Sequence, residues 1–146
     1  MLLEIIFAFI GTICFCVLFN VSRKHCVFCG LIGAFTWFIY SLTLHITNYQ
    51  YLATFISCFA LTLMARFFSV KRKAPATIFL LTGIFVLVPG AGMYYTTYNA
   101  FLNNAQEALV HFDVTIKVAL LISLGIVFGY ILPPKLFGWN NKEYVK

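Results

Sequence analysis

The sequence predicts an all-α, polytopic membrane helix bundle: a single domain over residues 1–146, with five transmembrane helices and the fourth broken at Pro89-Gly90. Three observations predict it. Hydrophobic residues make up 62% of the chain, mean hydropathy is +0.95 and only 10% of residues are charged, against roughly 25% in an ordinary soluble domain. Long uncharged apolar stretches follow one another with short polar connections. The basic residues gather after the first, third and fifth stretches, which gives the chain one direction across a bilayer.

Each span has its own warrant. The first, residues 2–19, has no basic region ahead of it and no small-residue cleavage site behind it, so it reads as a retained helix and not a secretory signal. The second, residues 27–44, carries Gly30, Gly33 and Ala34. The third, residues 51–68, has Arg66 near its end. The fourth, residues 76–101, is interrupted by Pro89 and two glycines. The fifth, residues 114–132, holds Gly125 and Gly129 in a G-x-x-x-G arrangement. Connections at 20–26, 45–50, 69–75 and 102–113 are short, as a compact bundle requires. At ~20 residues per span these elements fill the chain.

Nine of the ten basic residues lie on one side: Arg23, Lys24, Arg66, Lys71, Arg72, Lys73, Lys135, Lys142 and Lys146. Glu4, Glu107, Asp113 and Lys117 lie on the other. The positive-inside rule then places the N-terminus outside and the C-terminus in the cytoplasm, which demands an odd number of spans. Trp37, Tyr40, Tyr49, Tyr51, Trp139 and Tyr144 fall at or towards span ends, where amphipathic rings favour the headgroups. The formal charge of +6 is explained by this asymmetry, and no nucleic-acid binding is expected.

Chemistry concentrates at the break. Pro89 cannot donate a backbone hydrogen bond and its ring clashes with the preceding turn, while Gly90 and Gly92 admit angles closed to other residues. Non-helical backbone survives at membrane depth only when buried in protein or lining a wet cavity. At ~1.5 Å per residue from Ala76, Pro89 is expected ~20 Å in, a little past the midplane of a ~30 Å core. A half-helix starting near Gly90 would present free N–H groups and a positive dipole end, suited to a carboxylate. Tyr94, Thr97 and Tyr98 then share one helical face, which either lines a polar passage or packs with its hydroxyls satisfied by backbone carbonyls.

Lys117, four residues after Asp113, either makes an i,i+4 ion pair at the interface or points inward to attract an anionic substrate. Glu4 reads as solvated, with a proton relay as the alternative. Gly30, Gly33, Gly125 and Gly129 are expected to pack helices, within the chain or against a partner, by letting backbones approach. His25-Cys26-Val27-Phe28-Cys29 contains a C-x-x-C beside a histidine, but no second ligand pair completes a zinc site. The five cysteines read as small membrane-embedded hydrophobes. No metal or cofactor is expected, and no nucleophile-histidine pair, paired carboxylates or nucleotide-binding loop points to an enzyme.

Three segments carry a family resemblance: Cys29-Gly30-Leu31-Ile32-Gly33-Ala34-Phe35-Thr36-Trp37, Leu87-Val88-Pro89-Gly90-Ala91-Gly92-Met93-Tyr94, and Leu124-Gly125-Ile126-Val127-Phe128-Gly129. With these, the chain resembles the small five-helix domain of the threonine/serine exporters, found as the C-terminal half of a fused protein or as a separate subunit. Gly92 and the Tyr94-Tyr95 pair depart from the commonest pattern. The resemblance implies export of small amino acids or related short carboxylates across the cell (plasma) membrane, coupled to an ion gradient. It also implies a complex with a larger membrane subunit and a place for Pro89 and Gly90 in the functional core. A homo-oligomer is the other assembly left open. The competing reading is a non-transporting assembly or scaffold subunit, which uses its glycine faces only to hold a partner.

Overall fold

A computed structural model describes residues 2–133. Six helices follow in order: α1 Leu2–Leu18, α2 Arg23–Thr47, α3 Gln50–Arg72, α4 Ala76–Ile84, α5 Gly90–Phe101 and α6 Ala105–Ile131. No strand occurs among the described residues. Helices α2, α3 and α6 are each long and apolar enough to cross a membrane, and α1 is a shorter apolar helix of 17 residues. Lys135, Lys142, Lys146, Trp139 and Tyr144 lie outside the described residues.

The helix ends follow from local chemistry. Asn20, Asn48, Lys73 and Asn103 adopt positive φ, and each closes a helix by turning the chain out of the right-handed spiral. At Asn20 the amide donates to Val17 O at 3.0 Å and the next amide, Val21, to Cys16 O at 2.9 Å. The same paired pattern recurs at Lys73–Ala74 and Asn103–Asn104. Helix α6 therefore begins at Ala105, not near residue 114, so Glu107, His111 and Asp113 ride on a helix and not in the expected 102–113 connection. Helix formers at 105–108 follow the Asn103 turn directly and leave no loop to make.

Neighbouring helices pack in the order α1 on α2, α2 on α3 and α3 on α6, with α4 seated against α1, α2 and α3. Small residues set these distances. A Cβ on Gly33 would collide with the Thr12 side chain, one on Gly125 would lie 2.9 Å from Cys58 Cβ, and one on Gly129 2.6 Å from Thr62 Cβ. The core comprises a cluster of Cys16, Cys29, Ile32, Leu61, Ala65 and Phe79, and a second of Cys58, Leu87, Val118 and Ile122. Buried hydroxyls return to their own helices: Thr12 donates to Ala8 O at 2.7 Å, Thr36 to Ile32 O at 2.8 Å and Thr62 to Cys58 O at 2.9 Å. No buried hydroxyl of this set needs water, as a lipid environment requires.

Arg66 ties the far end of α3 to α6. Its Nη1 donates to both Gly129 O and Leu132 O at 2.7 Å, and its guanidinium lies 5.6 Å from the Tyr130 ring centroid. A cation thus caps the carbonyl end of a helix dipole.

The Gly125–Cys58 and Gly129–Thr62 contacts share one register with α3 and α6 parallel. Carried along straight helices, this register sets Gln50, the first residue of α3, level with Lys117. The first ~12 residues of α6, ~18 Å at ~1.5 Å each, then stand beyond the start of α3. Helix α5 packs on that extension and, among the described helices, on nothing else. Gly92 abuts Thr115, and the Tyr95 ring stacks on His111 at 5.3 Å.

Candidate functional site

The chain leaves the helix between the end of α4 at Ile84 and the start of α5 at Gly90. Proline explains why the break lies ahead of itself: its ring excludes the carbonyl four residues back and pushes the preceding residue out of the helical region. Val86 N–H turns back to Gly83 O at 3.4 Å, and Leu87 and Val88 donate to Ile84 O at 2.9 and 3.2 Å. Gly90 N–H then bonds Val88 O at 2.8 Å, and Met93 N–H bonds Pro89 O at 3.1 Å. In the first turn of α5 this leaves the Ala91 and Gly92 amides without an intrahelical acceptor. The free amide expected at Gly90 is already used.

The interrupted segment lines a cavity of about 210 Å³. Trp37 and Tyr40 from α2, Gln50 and Thr54 from α3, Val118 from α6 and the run from Val86 to Ala91 form its wall. Gln50, Gly90 and Ala91 are exposed, so the cavity opens between α3 and α5, which do not touch. Thr54 lies one helical turn from the start of α3, so the cavity floor is only ~6 Å from that end.

Polar groups converge sparsely. Thr54 Oγ1 donates to Gln50 O at 2.9 Å. The Tyr40 ring is half-buried beside Trp37, with centroids 5.1 Å apart. Trp37 Nε1 donates to Glu4 Oε2 at 3.2 Å. A second cavity, of about 320 Å³, lies behind Trp37 and Val86 against α1. The first cavity therefore offers an amide at a helix N-terminus, a phenol, a carboxamide and a hydroxyl within otherwise apolar walls, a combination suited to a small polar solute.

Of the residues the sequence singles out, Pro89 and Gly90 line this cavity. The others do not. Gly92 is occupied by packing, since a Cβ there would collide with Thr115 Oγ1. Tyr94 and Tyr98 are exposed on α5, stacked on each other at 5.9 Å. Thr97 donates to Met93 O at 3.0 Å. Lys117 Nζ pairs with Asp113 Oδ2 at 2.5 Å on the exposed side of α6. Gly30 and Gly33 face α1, and Gly125 and Gly129 face α3. Cys29 is buried in the first core cluster, and the Cys26 thiol approaches Val21 O at 3.6 Å.

Trp37, Tyr40, Gln50 and Thr54 were not expected at a site. Trp37 and Tyr40 read from the sequence as headgroup-seeking rings, while Gln50 and Thr54 carry no sequence signal, and only the fold turns them towards Pro89. No curated protein and no solved structure matches the chain. A family model described as "Threonine/Serine exporter, ThrE" matches residues 4–132, a stretch that contains every helix from the first turn of α1 to the end of α6. With that match, over described residues that are helical and interrupted at Pro89 beside a cavity, the protein belongs to the threonine/serine exporter (ThrE) family.

Proposed function

We propose that this chain is the small subunit of a secondary exporter for threonine, serine or related short carboxylates in the cell membrane. In this reading one domain crosses the bilayer five times, with α4, the broken segment and α5 forming the fourth crossing, the N-terminus outside and the C-terminus in the cytoplasm. The solute carboxylate sits at the N-terminal end of α5, near the Ala91 amide, with Tyr40, Gln50 and Thr54 around its polar groups. A larger membrane subunit of the same exporter type closes the open side between α3 and α5. The observation that carries the reading is the cavity at the Pro89 break, within a chain of this family. Positive dipole ends of interrupted helices commonly face anionic solute groups in secondary transporters.

The test is efflux of labelled threonine, serine and four-carbon acids from cells expressing the chain with its larger partner. Pro89→Ala restores an amide able to donate to Phe85 O and Gly90→Leu fills the cavity mouth, so each is expected to cut efflux ~10-fold or more while co-purification persists. Full efflux in both variants would reject the site. Absence of any efflux from the parental complex would favour the scaffold role.

A further inference from the structure

We propose that Leu87 is the inner gate of the solute route, closing the cavity at the Pro89 break against the rest of the bundle. The proposal rests on the reading that this cavity receives the solute. Leu87 belongs to the interrupted segment and forms part of the cavity wall, yet it is only 7% exposed. Its other neighbours are Cys58, Val118 and Ile122, the second core cluster. Beyond them, towards the Arg72 end of α3, Gly125 brings α6 against the Phe55 and Phe59 backbone, so no solute passes there without movement. Leu87 is thus where the open cavity becomes a packed core.

The segment that carries it is built to move without melting a helix. Its backbone is held by turn bonds from Val86 N–H to Gly83 O and from Leu87 and Val88 N–H to Ile84 O, and by the local Gly90 N–H to Val88 O bond; the helical ladder does not continue from them into α5. Pro89 contributes no amide. A Cβ built on Gly90 meets nothing within 4 Å, so the hinge has free space beside it. Rotation within 85–89 withdraws the Leu87 side chain from its seat while α4 and α5 keep their own hydrogen bonds. The core cluster it vacates then joins the cavity.

Cys58 is a native reporter for this gate: it is fully buried beneath Leu87 and its thiol donates to Ile122 O at 3.2 Å. The experiment uses the full chain with its larger partner in cells, with Cys14→Ser and Cys26→Ser removing the exposed and half-buried thiols. A membrane-impermeant trimethylammonium thiosulfonate is added outside, and modification of Cys58 is followed by mass. In the Leu87 parent Cys58 is expected to stay protected. Leu87→Ala is expected to raise its modification ~10-fold or more, as removing a buried side chain shifts an open–closed equilibrium. Leu87→Val gives a smaller rise and serves if the alanine variant does not accumulate.

Leu61→Ala, which truncates an equally buried leucine of the first core cluster, is expected to leave Cys58 protected. That separates a gate from general loosening. Protection of Cys58 in both Leu87 variants, or equal exposure by Leu61→Ala, would overturn the gate. Efflux measured in parallel keeps the two readings apart. Exposed Cys58 without amino-acid efflux from the parental complex removes the proposed substrate and leaves the gate, whereas protected Cys58 with normal parental efflux removes the gate alone.

Discussion

A single Cβ distinguishes the glycines of this chain. Gly129 has Thr62 Cβ and Cγ2 at 2.6 Å from the place a Cβ would occupy, whereas Gly11 has nothing within 4 Å. Gly129→Leu is therefore expected to force α3 and α6 apart and destabilise the bundle by ~1–3 kcal/mol. Gly11→Ala is expected to be neutral or slightly stabilising. Thermal unfolding in detergent, read by circular dichroism, distinguishes them; equal midpoints for Gly129→Leu and the parent would refute the packing argument. Lys117 behaves differently because its charge already meets Asp113 in the open. Exposed i,i+4 pairs contribute little, so Lys117→Met is expected to keep both thermal stability and efflux. Loss of efflux by a well-folded Lys117→Met would return this residue to the solute path.

At the scale of elements, the apolar spans were legible but their ends less so, α2 starting at Arg23 and α3 ending at Arg72, each four residues outside the expected span. Asn20, Asn48 and Asn103 are polar residues that tolerate the left-handed region, and each sits between apolar runs where the chain must turn. Lys73 does the same with no such preference; there the following Ala74 amide and Pro75 stop the helix. The Pro89 interruption was equally legible, because proline acts on its own backbone wherever it lies. The position of the α6 start was not, since residues 105–113 look polar and loop-like while being good helix formers once α5 supplies a packing face. Arg66 shows an element-level role that composition conceals. Reading it as a basic marker of one membrane side accounts for its charge, but its two bonds to Gly129 O and Leu132 O also hold the end of α6. Arg66→Met leaves these carbonyls uncapped and is expected to cost ~2 kcal/mol, with faster amide exchange at residues 129–132 than at 118–125. Unchanged exchange at the α6 end would show that the cap is dispensable.

The whole molecule is expected to place its termini on opposite membrane faces. A tag at residue 1 should be reached by antibody in intact cells and a tag at residue 146 only after permeabilisation; both tags on one face would end the five-span reading. Apolar content, charge asymmetry, the Pro89 interruption and the G-x-x-x-G spacing are one-dimensional properties, and the sequence alone determined from them that this is an α-helical membrane protein whose helix breaks at Pro89. They survive without coordinates because lipid solvation, backbone hydrogen bonding and proline sterics act locally. Which residues meet at the interruption was decided only in three dimensions. Tyr40, Gln50, Thr54 and Val118 come from three separate helices, and their convergence depends on the register that Gly125 and Gly129 impose between α3 and α6. The same register carries Tyr94, Thr97 and Tyr98 beyond the start of α3, away from the cavity that the first residues of their helix line. Contacts between helices are set by side-chain volumes at the crossing points, a physical quantity that no periodicity along one helix contains.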